Sequence, residues 1–280
     1  MKKLIFVSIL LASVALNATV IIAHRGENRL APENSVEAAN IAWKNGVKFV
    51  EADFWEISTG EIICMHAIGE LKKYACIDKD IKKLTIDEVK TLNLAKGEKW
   101  KGKFDVVKVP TLQEIMATIP SDGTLVLEVK HYSDTFAKKV DDARKSIGLR
   151  KDQVIIIAFD ANVIKSFNSK IKGYKTLWLY ALEMQNGKLN YTPEEAIAVC
   201  KEIGASGVDV GVTSLLGQHY INEVRKAGLD FYVWTINTDH ELRRMKRLNV
   251  DGITTDTATI AMALMKKIEK EIANKKATKR

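Results

Sequence analysis

The sequence has few of the residues that build disulfide frameworks, zinc sites and disordered segments. Its 280 residues include only 3 Cys and 4 Pro, and no cysteine pair has the Cys-x-x-Cys spacing. These absences exclude a full disulfide framework and a cysteine-based zinc site. A single Cys64–Cys76 bridge stays open, because an oxidising compartment permits one. With no low-complexity stretch, long disorder is not expected and one large core is affordable.

Long apolar runs are also missing, except at the N-terminus. Lys2 and Lys3 precede an apolar stretch over residues 4–16, and small residues follow it. This pattern predicts a signal peptide over residues 1–18, with cleavage after Ala15 or Ala18, and an uncleaved anchor is the alternative. The run is shorter than the roughly 20 residues of a membrane span. We therefore expect a periplasmic or secreted protein with no stable membrane span in the mature chain.

Acidic residues are fewer than basic ones. The chain has 35 Asp and Glu and 43 Lys and Arg, which gives a formal net charge of +8. Much of the excess lies in a basic C-terminal tail, residues 266–280. No aromatic residues alternate with these basic residues, so nucleic acid is not an expected partner. The tail is interpreted either as weakly attracted to anionic surfaces or as a solvated helix end. The oligomeric state is left open.

No glycine-rich phosphate loop follows the first predicted strand, Val20–Ala23, which argues against a dinucleotide-binding sheet. Short β-branched runs instead alternate with helical patterns along the whole chain, as expected for parallel strands with helical crossovers. The sequence therefore predicts an α/β fold, a (β/α)₈ TIM barrel over residues 19–265, with a small insertion at about 67–109. The predicted extended runs are Val20–Ala23, Lys48–Phe54, Ile62–Met65, Thr124–Val129, Val154–Phe159, Lys175–Tyr180, Gly207–Val212, Leu229–Ile236 and Asp251–Thr254.

Nine runs for eight barrel positions leave one strand over. Ser58-Thr59-Gly60 is a turn signal between Lys48–Phe54 and Ile62–Met65, so these two runs are predicted to form a hairpin. The following segment contains one helical pattern, in which Thr85 and Glu88 have the spacing of a capping box.

Charged side chains cluster where predicted strands end, which is where barrel enzymes place their working residues. Glu51 and Asp53 lie two apart on one strand face, and Glu128 ends a later strand. Carboxylates in apolar strands are costly unless a cation is near. Oxygen ligands favour Mg²⁺ or Ca²⁺. The alternative is a set of structural ion pairs with Arg25 and Lys130.

Two histidines, His24 and His66, also end predicted strands, and such a pair suits general acid–base catalysis. Arg25 and Lys130 could hold a phosphate and offset transition-state charge. The remaining histidines are interpreted as structural. His131 follows Lys130 and points to the opposite strand face, whereas the other two lie in helical patterns, at His219 and His240.

Taken in order, these motifs resemble the glycerophosphodiester phosphodiesterase family from residue 20 to about 260. Each piece is weak alone, but the full ordered set is specific. The pieces are His24-Arg25-Gly26, Pro32-Glu33-Asn34-Ser35, Glu51-x-Asp53, Thr59-Gly60, His66, Leu84-Thr85, Pro110-Thr111-Leu112-x-Glu114, Glu128-x-Lys130, the stretch Val233 to Asn237, and the stretch Val250 to Asp256.

The resemblance implies a barrel with an insertion after the second histidine, and hydrolysis of glycerophosphodiesters to glycerol 3-phosphate and an alcohol. It implies metal ligands at Glu51, Asp53 and Glu128, and a catalytic pair at His24 and His66. Substrate and phosphate contacts are implied for Arg25, Lys130, Glu33, Asn34, Phe159 and Trp234. Of these, Glu33 and Asn34 order the first loop, Phe159 and Trp234 are apolar walls, and Trp234 could equally be ordinary core.

One departure lies near the chemistry, since Ala67 stands where the family usually has Asp after the second histidine. Two other functions therefore remain open. One is a phospholipase D-like enzyme acting on lysophospholipid or sphingolipid headgroups with the same histidines. The other is a glycerophosphodiester-binding protein that is catalytically weakened by Ala67.

Overall fold

Eight parallel strands form a closed ring in the computed structural model, which describes residues 19–67, 71–72 and 78–277. The strands are β1 Val20–Ala23, β2 Phe49–Glu56, β3 Ile62–Cys64, β4 Thr124–Val129, β5 Val154–Ala158, β6 Lys175–Ala181, β7 Met184–Gln185, β8 Lys188–Leu189, β9 Gly207–Gly211, β10 Asp230–Trp234 and β11 Gly252–Thr255. Strand β3 and the β7–β8 hairpin lie outside the ring.

The ring follows the order β1, β2, β4, β5, β6, β9, β10, β11 and closes because β1 pairs with both β2 and β11. Every pairing within it is parallel, and the register places Asp53 opposite Glu128. In a parallel barrel all carboxyl ends open on one face. The predicted (β/α)₈ barrel is confirmed, and polar residues at different strand ends meet at that face.

Helices connect most of the consecutive ring strands, and capping residues in the sequence mark where several of them begin. Thr85, Thr111 and Thr192 each form a capping box with the glutamate three residues later, which satisfies two otherwise unpaired backbone donors. The helices are α1 Val36–Lys44, α2 Ile86–Thr91, α3 Leu112–Met116, α4 Phe136–Ile147, α5 Ala161–Lys170, α6 Pro193–Ile203, α7 Gln218–Lys226, α8 Asp239–Leu248 and α9 Ala258–Ala277.

The core has two layers, because side chains on a strand alternate between the barrel interior and the helices. The larger layer lies between strands and helices. The smaller layer fills the barrel and includes Ile22, Val126, Leu179 and Tyr232. Gly252 makes room for it, since a Cβ there would lie 2.4 Å from the Tyr232 ring. The interior is therefore packed below the mouth.

The predicted hairpin is confirmed, because β3 pairs antiparallel with β2 outside the ring. Beyond it, the described residues between Met65 and Pro110 add no strand to the barrel. They form a separate apolar cluster that includes Trp100 and Leu84 and packs on Ile57 and Ile63. The assignment of this segment as an insertion stays a prediction.

Three other predictions concern the ends of the chain and the cysteines. The signal peptide, residues 1–18, and Cys76 lie outside the described residues. Within the part that is described, no helix is long and apolar enough to cross a membrane. The basic tail begins inside α9, which is helical as far as Ala277.

Candidate active site

A cavity of about 200 Å³ opens at the carboxyl ends of the ring strands. It is smaller than the roughly 300–1,000 Å³ pockets that take drug-sized ligands, so it suits a small molecule. Residues from both ends of the sequence line it, which only ring closure can bring together. Eight of the sequence-predicted site residues are among them, namely His24, Arg25, Glu51, His66, Glu128, Lys130, Phe159 and Trp234.

Three carboxylates meet at one side of this cavity. One ligand oxygen from each of Glu51, Asp53 and Glu128 lies within 4.8 Å of the other two. Strand alternation explains the convergence, because Glu51 and Asp53 share a face of β2 and Asp53 is in register with Glu128. Oxygen Oε1 of Glu51 is buried without a hydrogen-bond partner. The cluster thus has an oxygen whose desolvation no described group offsets.

Two cations border the carboxylates. The Lys130 ammonium lies 2.6 Å from Glu128 and 3.2 Å from Asp53, and Arg25 Nε lies 3.2 Å from the other Asp53 oxygen. The ion pairs considered as an alternative to metal binding are therefore present. They do not exclude a cation site, since three carboxylates face two positive charges.

The carboxyl pKa values show how this charge is distributed. Burial, with the charges of Asp53 and Glu128, raises the pKa of Glu51 well above its usual range. Burial and the Asp53 charge likewise raise the pKa of Glu128 to about 8. Burial would also raise the pKa of Asp53, but Lys130 and Arg25 outweigh it and lower that pKa well below its usual range. The cluster is short of positive charge, which a divalent cation would supply.

The loop after β1 shapes the site through Glu33 and Asn34. Asn34 is buried. Its side-chain Nδ2 donates to Asp53 Oδ2 at 2.9 Å, and its side-chain Oδ1 accepts from the Asp53 backbone N–H. Glu33 accepts from Arg25 at 3.0 Å. Gly26 allows the loop to lie against α1, because a Cβ there would be 2.6 Å from the Ala38 backbone. Glu33 and Asn34 thus orient Arg25 and Asp53.

His24 is held by a carboxylate that the sequence analysis did not assign. Its Nδ1 lies 2.7 Å from an Asp256 oxygen. Asp256 also accepts from Asn28 and Asn237, each at 2.7 Å. Burial would raise the pKa of Asp256, but the hydrogen bond from His24 and those from the two amides outweigh it and hold the pKa below its usual range. Asp256 therefore fixes the ring and balances its charge when it is protonated.

His66 lies in a different environment. Burial lowers its pKa to about 4, with opposing contributions from Asp53, which raises it, and Arg25 and Lys130, which lower it. The ring is thus neutral at pH 7 and can accept a proton. Ala67 follows it directly. His131, as predicted, is elsewhere, since its ring stacks on Trp55 at 5.4 Å.

The cavity has two unlike halves. The charged half is formed by the ends of β1, β2 and β4 and carries His24, Arg25, Glu51, Glu128 and Lys130, with Asp53 buried beside the two glutamates. The apolar half is formed by β5, β6, β9, β10 and β11 and carries Ile157, Phe159, Leu179, Asp209, Trp234 and Thr254. Phe159 and Trp234 meet edge to face with ring centroids 5.7 Å apart. Trp234 lines the cavity, so it is more than an ordinary core residue.

Sequence reasoning missed Asp209 and Thr254, which line the apolar half. Both side chains are buried, and Asp209 Oδ1 and Thr254 Oγ1 have no hydrogen-bond partner. A signal existed for Asp209, because a lone acidic residue interrupts the apolar run Gly207–Gly211.

Known proteins resemble the chain in sequence along nearly its whole length. The profile of the glycerophosphoryl diester phosphodiesterase family matches residues 24–259. A glycerophosphodiester phosphodiesterase of Caldanaerobacter subterraneus subsp. tengcongensis is 24% identical over 253 residues, covering 89% of this chain and 98% of that protein. One from Bacillus subtilis is 25% identical over 252 residues, covering 84% and 82%.

Solved structures resemble it in fold. A phosphodiesterase of Oleispira antarctica, in complex with the product sn-glycerol-3-phosphate, has a TM-score of 0.77 at 19% identity, covering 88% of this chain and 96% of that one. A glycerophosphodiester phosphodiesterase of Thermotoga maritima has a TM-score of 0.69 at 23% identity, covering 89% and 99%.

Proposed function

The chain belongs to the glycerophosphoryl diester phosphodiesterase family, and from that premise we propose that it hydrolyses glycerophosphodiesters to glycerol 3-phosphate and an alcohol. The substrate is a small molecule, and the cofactor is one divalent cation, Mg²⁺ or Ca²⁺. The observation that carries the proposal is the cluster of Glu51, Asp53 and Glu128 beside two histidines in one cavity.

The three carboxylates suit such a cation. Their oxygens converge, Glu51 has a buried oxygen without a partner, and burial together with the neighbouring Asp53 charge raises the pKa values of Glu51 and Glu128. All-oxygen ligands favour Mg²⁺ or Ca²⁺ over softer metals. When bound, the cation acts as a Lewis acid toward the phosphate and helps to orient it.

The protein residues then have distinct roles. Arg25 and Lys130, which line the cavity, bind the phosphate oxygens and offset the charge that develops on them. Neutral His66 takes a proton from the nucleophile, water or the glycerol 2-hydroxyl, as its oxygen bonds to phosphorus. His24, positioned by Asp256, gives a proton to the leaving alcohol oxygen as the ester P–O bond breaks. If the glycerol hydroxyl attacks, a cyclic phosphate forms and water opens it in a second step.

The direct test is hydrolysis of glycerophosphocholine by the purified protein, followed through release of glycerol 3-phosphate. We expect turnover that excess chelator abolishes and that Mg²⁺ or Ca²⁺ restores. Full activity in excess chelator would remove the metal from the proposal, and the absence of turnover with either ion would overturn it. In the latter case, retained binding of glycerol 3-phosphate would favour the binding protein with a catalytic defect from Ala67.

A second candidate substrate class is lysophospholipid, and one observation favours it. Leu30, Phe159, Met184 and Leu215 are exposed large apolar residues, and each lies at or after the carboxyl end of a ring strand. Exposed apolar residues on the cavity face could contact an acyl chain. Comparing turnover of glycerophosphocholine with that of lysophosphatidylcholine separates the two classes, and faster turnover of the lipid would select the second.

We also propose export to the periplasm or medium, from the predicted signal peptide. Because β1 begins at Val20, cleavage after Ala15 or Ala18 leaves every ring strand intact. The test is the N-terminal sequence of protein recovered from the periplasm of a Gram-negative expression host. We expect it to begin at Leu16 or Thr19, whereas an uncleaved chain retained with the membrane would support the anchor.

A further inference from the structure

Asp209 is a buried carboxyl group for which the proposed mechanism has no use. Its side chain is 1% exposed and its Oδ1 has no hydrogen-bond partner. Trp234 Nε1 donates to the Asp209 backbone oxygen, but no described residue is recorded in an ion pair or hydrogen bond with its carboxyl group, and burial alone raises the pKa of that group to about 7. Burying an unpaired carboxyl group is costly, and buried polar groups in native proteins nearly always have partners. A ligand that hydrogen-bonds this carboxyl group would offset that cost.

The position of Asp209 indicates which ligand is missing. It lines the same cavity as His24, Glu51 and Lys130, but from β9 in the apolar half. Thr254, on β11, lines that half too, and its Oγ1 is likewise buried without a partner. Two polar atoms from separate strands are therefore unsatisfied in one cavity, which the apolar side chains of Leu179 and Trp234 also line.

The chemistry of the pair points to a hydroxyl group. A carboxyl group accepts from a hydroxyl, and a threonine hydroxyl can donate to a hydroxyl oxygen, so an alcohol within reach of both side chains would satisfy both. A phosphate would be repelled by the carboxylate, and the cations that suit it, Arg25 and Lys130, lie in the charged half. A quaternary ammonium group has no N–H or O–H to donate and no acceptor, so it would leave the Thr254 hydroxyl unsatisfied.

Resting on the proposed function, we propose that Asp209 and Thr254 form a subsite for the terminal hydroxyl of the substrate's glycerol unit. The glycerol 2-hydroxyl is nearer to the phosphate and stays with the charged half, whereas the terminal hydroxyl reaches across the mouth. The apolar half then selects a glycerol diester over a diester of a less hydroxylated alcohol. Such selection can be strong, because an analogue that lacks the hydroxyl leaves the buried polar groups unpaired.

The test compares two diesters that differ by one hydroxyl. The first is glycerophosphocholine, and the second is the phosphocholine diester of propane-1,2-diol, which keeps the 2-hydroxyl and lacks the terminal one. We expect the wild type to prefer the first in kcat/KM by roughly 10–100-fold, as expected for a hydrogen bond to a carboxyl group. Asp209→Leu should lower kcat/KM for the first diester only, and so remove the preference.

Two further variants keep the outcome interpretable. Asp209→Asn retains hydrogen-bonding atoms in the same shape and should keep much of the preference, whereas Thr254→Val should lose roughly 3–10-fold of it. Asp209→Leu should melt no earlier than the wild type, since it removes an unpaired buried carboxyl group. If Asp209→Leu fails to fold, Thr254→Val and Asp209→Asn decide the question through the same ratio.

Each contrary result has its own meaning. If Asp209→Leu lowered kcat/KM equally for both diesters, Asp209 would be a structural residue and the subsite would be contradicted. If Asp209→Asn lost as much turnover of glycerophosphocholine as Asp209→Leu, but not of glycerophosphoglycerol, Asp209 would bind the cationic headgroup instead. If the wild type hydrolysed both diesters equally, the subsite alone would be contradicted. If it hydrolysed neither, the proposed function would be contradicted.

Discussion

The two halves of the barrel mouth differ in what surrounds their buried carboxyl groups. In the charged half, Lys130 and Arg25 compensate Asp53 and its pKa falls, although the pKa values of Glu51 and Glu128 beside it are raised. In the apolar half, Asp209 has no compensating group among the described residues, and its pKa rises to about 7. Compensation suits groups that must stay ionised while phosphate reacts. The lack of it suits a group whose partner arrives with the substrate.

A large loss of turnover is expected when the charged half loses a carboxylate. Glu51→Gln should lower kcat roughly 10³-fold, because a neutral amide would replace a charged carboxylate in the proposed cation site. Glu56→Gln is the matched control, since Glu56 is on the same strand but pairs with Lys139 outside the barrel. Steady-state kinetics of both variants at saturating Mg²⁺ check this. Similar kcat values for the two would contradict the ligand assignment.

A loss of roughly 10²–10⁴ in kcat is expected for His66→Ala, and likewise for His24→Ala, the range for a positioned acid or base. His131→Ala is the control, because the His131 ring stacks on Trp55 and does not line the cavity. This variant should keep kcat within about threefold of the wild-type value, since it removes no proposed acid or base. A loss in His131→Ala as large as that in His66→Ala would mean that the strand faces are misassigned.

A smaller effect is expected for Asp256→Asn, which leaves His24 in place but removes the charge beside it. We expect a loss of roughly 10–100-fold, as for groups that orient a working histidine from behind. Because Asp256 orients the His24 ring, the loss should appear in kcat rather than in KM. A loss that appears only in KM would contradict a role in orienting the acid.

In the apolar half the smallest effect on turnover is expected for Asp209→Asn, whose main consequence is for stability. The folded pKa of about 7 exceeds the ordinary value of 3.8. Between pH 4 and 7 the folded state therefore keeps a proton that the unfolded state has released, so raising the pH destabilises the fold. Below that window both states are protonated, and above it the penalty is constant at about 4 kcal/mol.

Denaturant unfolding of the wild type and Asp209→Asn between pH 4 and 8 measures this difference. The stability of the variant relative to the wild type should rise across the window and then level off. A difference that does not vary with pH would mean that Asp209 has a partner in the folded protein.

That the residues of the charged half lie together could be predicted from the sequence because the information is local, whereas their roles stay predictions. Alternation along β2 and β4 places Glu51, Asp53, Glu128 and Lys130 on the interior face, and repeated strand–helix units predict the ring. The β7–β8 hairpin was missed, although Asn186-Gly187, both with positive φ, is a hairpin turn signal. Two-residue strands are too short for a periodic pattern.

The apolar half was harder to predict because its proposed chemistry depends on Asp209 having no side-chain partner. That Asp209 has no partner follows only when β6, β10 and β11 are placed around it, far apart in the sequence. Asp256 was visible in the Val250–Asp256 motif, but its role depends on ring closure, which brings it to His24 across 232 residues. Glu33 and Asn34 were predicted as site residues, but not as the partners of Arg25 and Asp53.

The most direct measurement of this division of labour is a two-by-two comparison of kcat/KM. Glu51→Gln and Asp209→Leu are each assayed on glycerophosphocholine and on the propane-1,2-diol diester. We predict that Glu51→Gln lowers kcat/KM for both diesters by the same factor, and that Asp209→Leu lowers it for glycerophosphocholine alone. If both variants changed the two diesters in equal proportion, the two halves would not have separate roles and the account would be wrong.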